Sequence, residues 1–358
     1  MKNELEIKNM LDTVQQATNE TVAFDEQAIL RAYKSQEDNQ SSIAIKVLSV
    51  IGGFVGTLAI VGFLLLTGLQ SSEIGLLTTG IIFIVISILI NKKSDKLILD
   101  TFSITAYVVG IFLLIFGLGE MDFNENAIAI LVLIIALGSL FLTQNYIMSF
   151  VSILVVSGSL LMLLVFLQKT YTLIHLFNTI IVIAMTYVFL NEAKLIKMGH
   201  KLSKLYEPLR IGLVVSFILG LLFLRTRRLH ELPINYLWIY SVILFIAILY
   251  VISKVLQVMQ ITNLNYKIGI YVLSAVLLVL TAFSPSILGA ILLILLSFYV
   301  NYKFSFILGI VALIYFVSQY YYDLHYTLLT KSIMLFASGI LFIALYLFTT
   351  KYTKNEKI

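Results

Sequence analysis

From Ile43 to Thr349 the chain alternates long apolar runs with short polar turns. A barrel strand in a membrane would alternate apolar and polar positions over about ten residues. These runs are instead continuous. A backbone facing lipid must satisfy its own hydrogen bonds, so continuous runs predict helices. Hydropathy delimits twelve: 43–69, 74–90, 100–118, 127–142, 147–167, 173–190, 209–224, 236–256, 266–283, 287–300, 303–319 and 327–349. About 20 residues cross a bilayer. By that measure the fourth, seventh, tenth and eleventh runs are short, and whether 209–224 crosses completely is open.

Residues 1–42 have a different pattern. Ile7, Met10, Leu11 and Val14 recur at helical spacing. Asp25 caps a second expected helix, Glu26 to Ser35, with Ala28, Ile29, Ala32 and Tyr33 on one face. Two amphipathic helices on the membrane surface or capping the bundle are expected, with a cytosolic docking element as the other reading. The first apolar run is too long and too late for a cleaved signal, so it is expected to be retained. The expected fold is therefore an all-α polytopic bundle of about twelve spans. It consists of a polar cytoplasmic segment (1–42), a transmembrane domain (43–349) and a cytoplasmic tail (350–358).

Composition strengthens this picture. Hydrophobic residues make up 60% of the chain and charged residues 12%, about half the share of a soluble domain. The mean hydropathy is +1.01. The net charge of +5 comes from lysines and arginines in turns, where they set topology. No basic, groove-sized surface remains for nucleic acid.

Short-loop lysines and arginines collect on the cytoplasmic side. With the N-terminus inside, the inner segments hold Lys2, Lys8, Arg31 and Lys34, then Lys92, Lys93 and Lys96, then Lys194, Lys197, Lys201, Lys204 and Arg210, and last Lys351, Lys354 and Lys357. The loop 119–126 is purely acidic, with Glu120, Asp122 and Glu125. Both termini are thus expected in the cytoplasm, and the membrane is expected to be a bacterial inner membrane. Arg225, Arg227 and Arg228 break the rule by falling outside. Moving them inside would send Lys303 and the C-terminal lysines out.

Candidate chemistry is sparse. The chain has no cysteine, which removes disulfides, thiolate metal sites and cysteine nucleophiles. His175, His200, His230 and His325 lie far apart, without zinc-ligand spacing. No nucleophile elbow, phosphate-binding loop or H-E-x-x-H motif occurs. No catalytic residue, metal or cofactor is therefore expected, nor is an enzyme. By these boundaries no acidic or basic residue lies near the middle of a span, which weighs against proton- or ion-coupled transport. The polar groups within spans are mild: Ser157, Ser159, Asn178, Thr179, Ser297, Tyr299, Asn301 and Ser338. Their ordinary use is hydrogen bonding between helices. Gly52 and Gly56 give one small-xxx-small spacing for close helix contact.

The expected outer face gathers three unlike loops. One is acidic, one carries Arg225, Arg227, Arg228, His230 and Glu231, and one carries Tyr320, Tyr321, Tyr322, Asp323, His325 and Tyr326. Lys331 lies about a turn inside the last run. Arginines hold phosphate or carboxylate bidentately, and tyrosines line grooves. An aromatic belt with snorkelling cations is the plainer reading. The candidate binding set is Arg225, Arg227, Arg228, Tyr321, Tyr322, Asp323, His325 and Lys331.

Residues 283–298 read FSPSILGAILLILLSF and 320–332 read YYYDLHYTLLTKS, followed by ASG at 337–339. These stretches resemble an uncharacterised bacterial multispanning family, a domain of unknown function found beside genes for GDYxxLxY-type proteins. The resemblance implies a partner and no catalytic residues. This chain lacks a GDYxxLxY segment, so that partner would be a separate polypeptide. The sequence thus leads to a non-enzymatic membrane component that meets membrane lipids and a small partner protein at its outer face. The alternative is a carrier or flippase for an amphiphile or small anion. A water-accessible central cavity would favour the carrier, and a solid helix bundle the partner.

Overall fold

The computed structural model describes residues 72–93, 97–143, 145–168, 174–197, 199–224, 237–260, 264–281 and 284–323, with scattered positions between 48 and 68 and between 329 and 343. The two N-terminal amphipathic helices, most of runs 43–69 and 327–349, and Ser338 lie outside the described residues.

The described residues form helices and no strand: α1 (Glu73–Lys93), α2 (Leu97–Glu120), α3 (Glu125–Leu142), α4 (Tyr146–Gln168), α5 (Ile174–Leu190), α6 (Glu192–Lys197), α7 (His200–Leu224), α8 (Leu237–Val258), α9 (Leu264–Thr281), α10 (Pro285–Tyr299) and α11 (Lys303–Asp323). Among them, α1, α2, α3, α4, α7, α8 and α11 are long and apolar enough to cross a membrane. Helix α5, the stretch Tyr266–Val276 of α9, and α10 are shorter apolar helices. The chain is a helical membrane protein.

Sequence and structure diverge at two helix ends. The seventh run, drawn as 209–224, belongs to a helix that starts at His200. Lys204, Glu207 and Pro208 lower the hydropathy there without ending the helix. Tyr320, Tyr321, Tyr322 and Asp323, assigned above to a loop, form the last turn of α11. No glycine or proline interrupts this segment, so the tyrosines extend the helix.

The turns follow local chemistry. Ser72 caps α1 by accepting from the Gly75 amide, and Asn145 caps α4 by accepting from Ile147 and Met148. After α10, Asn301 adopts φ +56. The Tyr302 amide donates to Ser297 and the Asn301 amide to Phe298. This is a Schellman stop with asparagine in the left-handed position. It reverses the chain tightly and delivers Tyr302 to a fixed place.

The chain divides into two compact units, 1–114 and 115–358. In the first, α1 and the N-terminal part of α2 pack backbone to backbone. A Cβ at Gly80 would lie 2.9 Å from the Gly110 carbonyl oxygen, and one at Gly110 would meet Ile84 at 2.7 Å. Small residues permit this approach. Of the expected pair, a Cβ at Gly56 would meet Thr105 on α2 at 3.8 Å, an ordinary contact, and one at Gly52 nothing within 4 Å. The closest glycine approach lies elsewhere, at a pair that no sequence spacing links. Leu76, Val109 and Leu113 form this unit's core.

The second unit is built from α3–α4, α4–α7, α5–α7, α8–α10 and α10–α11 contacts. Helix α3 shows the membrane logic. Ala129, Val132, Ala136 and Ser139 are buried, while Ile134 is 63% and Phe141 72% exposed. Small residues face protein and large aliphatics face outward, as lipid solvent permits. Across the α3–α4 contact the Ser139 and Ser152 hydroxyls lie 2.7 Å apart. That is the expected interhelical use of a serine. Ser159, Asn178 and Thr179 instead donate to carbonyls of their own helices. Helix α10 is buried on most sides, through Leu288, Gly289, Leu292, Leu293 and Leu296 among others. Gly289 makes room, since a Cβ there would meet Leu221 at 2.8 Å and Phe217 at 2.9 Å.

Candidate functional site

Helices α4, α5 and α7 pack side by side in the second unit, and two polar features lie on α7. Ile153 packs on Gly212, Phe177 and Asn178 pack on Gly220, and Glu192 just beyond α5 reaches Arg210. These pairings run α4 parallel to α7 and α5 antiparallel to both.

The first feature is Arg210. It is 4% exposed, although the sequence reading counted it as a loop-side charge. Its Nη1 donates to Glu192 Oε1 and to the Tyr206 hydroxyl, each at 3.5 Å, and Nη2 donates to Glu207 Oε1 at 3.0 Å. The guanidinium lies 3.6 Å from the centroid of the Tyr302 ring and 5.0 Å from that of Tyr206. The carboxylates keep access to water, the Glu207 side chain being 59% exposed. The apolar side is sealed by two aromatic faces, which attract a cation most when water is excluded. Burial raises the Tyr302 phenol above its ordinary pKa, and Arg210 pulls the other way. The ring therefore stays neutral beneath the cation. Arg210 thus ties α6, α7 and the α10–α11 turn together.

The second feature is a groove of about 390 Å³. Leu154, Ser157, Gly158 and Leu161 line it from α4, Phe177 from α5, and Ser216, Leu219, Gly220 and Phe223 from α7. Its size lies in the range of small-molecule pockets. Leu219 is exposed, so the groove opens sideways, toward where lipid lies. Gly158 leaves space, since a Cβ there would meet nothing within 4 Å. The Ser216 hydroxyl is buried without a hydrogen-bond partner. Outside the lining, on α5 against Gly220, Asn178 Nδ2 donates to the Ile174 carbonyl at 3.0 Å, while its buried Oδ1 is unpartnered. His175 Nδ1 and the Tyr240 hydroxyl are likewise buried without partners, with ring centroids 6.2 Å apart.

Of the candidate binding residues, Arg225, Arg227, Arg228, His325 and Lys331 lie outside the described residues. Tyr321, Tyr322 and Asp323 end α11. The two tyrosine rings pack edge to face at 5.8 Å, and Tyr322 is 73% exposed. Ser157, one of the polar groups expected within a span, lines the groove, whereas Ser216 and the enclosure of Arg210 were not foreseen. YEPLR at 206–210 did carry a signal for the enclosed arginine, because an acid three residues and an aromatic four residues before an arginine share its helix face. Nothing local pointed to Tyr302 or Glu192.

A family model, described as a domain of unknown function (DUF4401), matches residues 43–352. No curated protein and no solved structure matches the chain.

Proposed function

The chain belongs to the DUF4401 family, and on that premise we propose a non-enzymatic membrane protein that takes the hydrocarbon part of an amphiphile into the α4–α5–α7 groove and carries it. One observation supports this most: the groove is apolar, opens sideways and lies between helices that face lipid. An amphiphile would reach it without leaving the bilayer.

The topology proposed with this reading has about twelve spans and both termini inside a bacterial cytoplasmic membrane. The parallel course of α4 and α7 fits it, since the fifth and seventh runs must point the same way. So does the meeting of Glu192, Arg210 and Tyr302, because the twelve-run order puts 191–208 and 301–302 on one side. A second reading, a partner of the GDYxxLxY type docking at the outer face, is supported by Tyr322, which is exposed and packs edge to face on the half-buried Tyr321. Aromatic pairs of this kind anchor interfaces.

The test is photolabelling of the purified protein in lipid vesicles with a phospholipid bearing a diazirine in its acyl tail. Label should concentrate on α4 and α7 peptides lining the groove. Gly158→Phe, which fills open space, should cut that label several-fold without loss of folding. Uniform labelling of all lipid-facing helices, unchanged in Gly158→Phe, would sink the reading.

A further inference from the structure

We infer that the groove selects an uncharged lipid carrying a hydroxyl or amide, such as a diacylglycerol, over an anionic one. The inference rests on the reading of the groove as a lipid site. Its lining holds Ser157 and Ser216 and no acidic or basic residue. The nearest cation along α7 is Arg210, six residues before Ser216, or about 9 Å at the helical rise. Its guanidinium is already engaged by Glu192 and Glu207. A phosphate drawn to this depth would find no counter-charge, and a charge within the hydrocarbon region is costly without one.

A neutral polar group meets the opposite situation. The Ser216 hydroxyl is buried and unpartnered, which costs free energy until something bonds to it. A hydroxyl or amide on a lipid can give to it or take from it. The groove therefore offers tail space and an unmet hydrogen bond together, and no charge. The orphaned Ser216 hydroxyl belongs to a site that a lipid headgroup completes.

The experiment compares two probes with the same diazirine tail, a diacylglycerol and a phosphatidic acid, in vesicles of neutral phospholipid. The expected result is groove labelling by the diacylglycerol at least several-fold above the phosphatidic acid. Ser216→Ala should lower it about three- to tenfold, the worth of one hydrogen bond. The same variant should leave thermal stability without lipid unchanged or raised, because it removes an unsatisfied group. Equal labelling by both probes, or stronger labelling by phosphatidic acid, overturns the neutral-lipid inference and leaves the groove reading standing. Retained diacylglycerol labelling in Ser216→Ala also overturns it. Groove labelling by neither probe overturns both.

Discussion

At the residue scale, two kinds of position decide this molecule. Arg210 is a charge made tolerable by its neighbours: carboxylates on the wet side and rings on the dry one. Tyr302→Phe should therefore be nearly neutral, since the ring face remains. Tyr302→Leu keeps apolar cover but removes the quadrupole, and should cost about 1–2 kcal/mol in reversible unfolding in mixed micelles. Equal stabilities for the two variants would show that the ring only covers the cation. Gly220 is the other kind. A Cβ there would collide with Asn178 Oδ1 and approach Phe177 at 3.2 Å. Overpacking of this sort costs about 1–3 kcal/mol, so Gly220→Ala should lower the melting temperature. Gly158→Ala, facing open space, should not.

At the element scale, α7 is the helix that matters most. It carries Arg210 near one end and the groove's polar group further along. Hydropathy shortened it because its first turns carry Lys204 and Glu207, exposed charges that a helix accommodates and an apolar average does not. Its course beside α4 and against α5 bears on the arginines that follow it. We expect Thr226→Cys to react with an impermeant thiol reagent in intact cells, the chain having no other cysteine. Labelling only after permeabilisation would mean that α7 does not emerge on the outer side. Helix α10 carries a related lesson. At 15 residues it spans about 22 Å, less than the hydrocarbon core. It is surrounded by protein, where a short helix can end within the membrane.

At the scale of the whole molecule, orientation is the open variable that the loop charges address. Ser94→Cys, among Lys92, Lys93 and Lys96, should be protected in intact cells and react once the membrane is opened. Labelling from outside would invert the proposed topology. The membrane setting and the helical class were legible in the apolar runs alone, because in hydrocarbon the backbone has no other way to satisfy its hydrogen bonds. Most helix limits between 73 and 323 were legible too, because the polar turns that end the apolar runs also end the helices. Three things depended on tertiary structure. Which glycines touch most closely, Gly80 and Gly110, while Gly56 only reaches Thr105 and Gly52 nothing within 4 Å, depends on how helices register. Whether an arginine is solvated or enclosed depends on rings and acids far away in the chain. And a groove is space between three helices, which no stretch of sequence contains. Lipid solvent makes every span apolar whatever it packs against, so a membrane sequence reports its solvent clearly and its neighbours hardly at all.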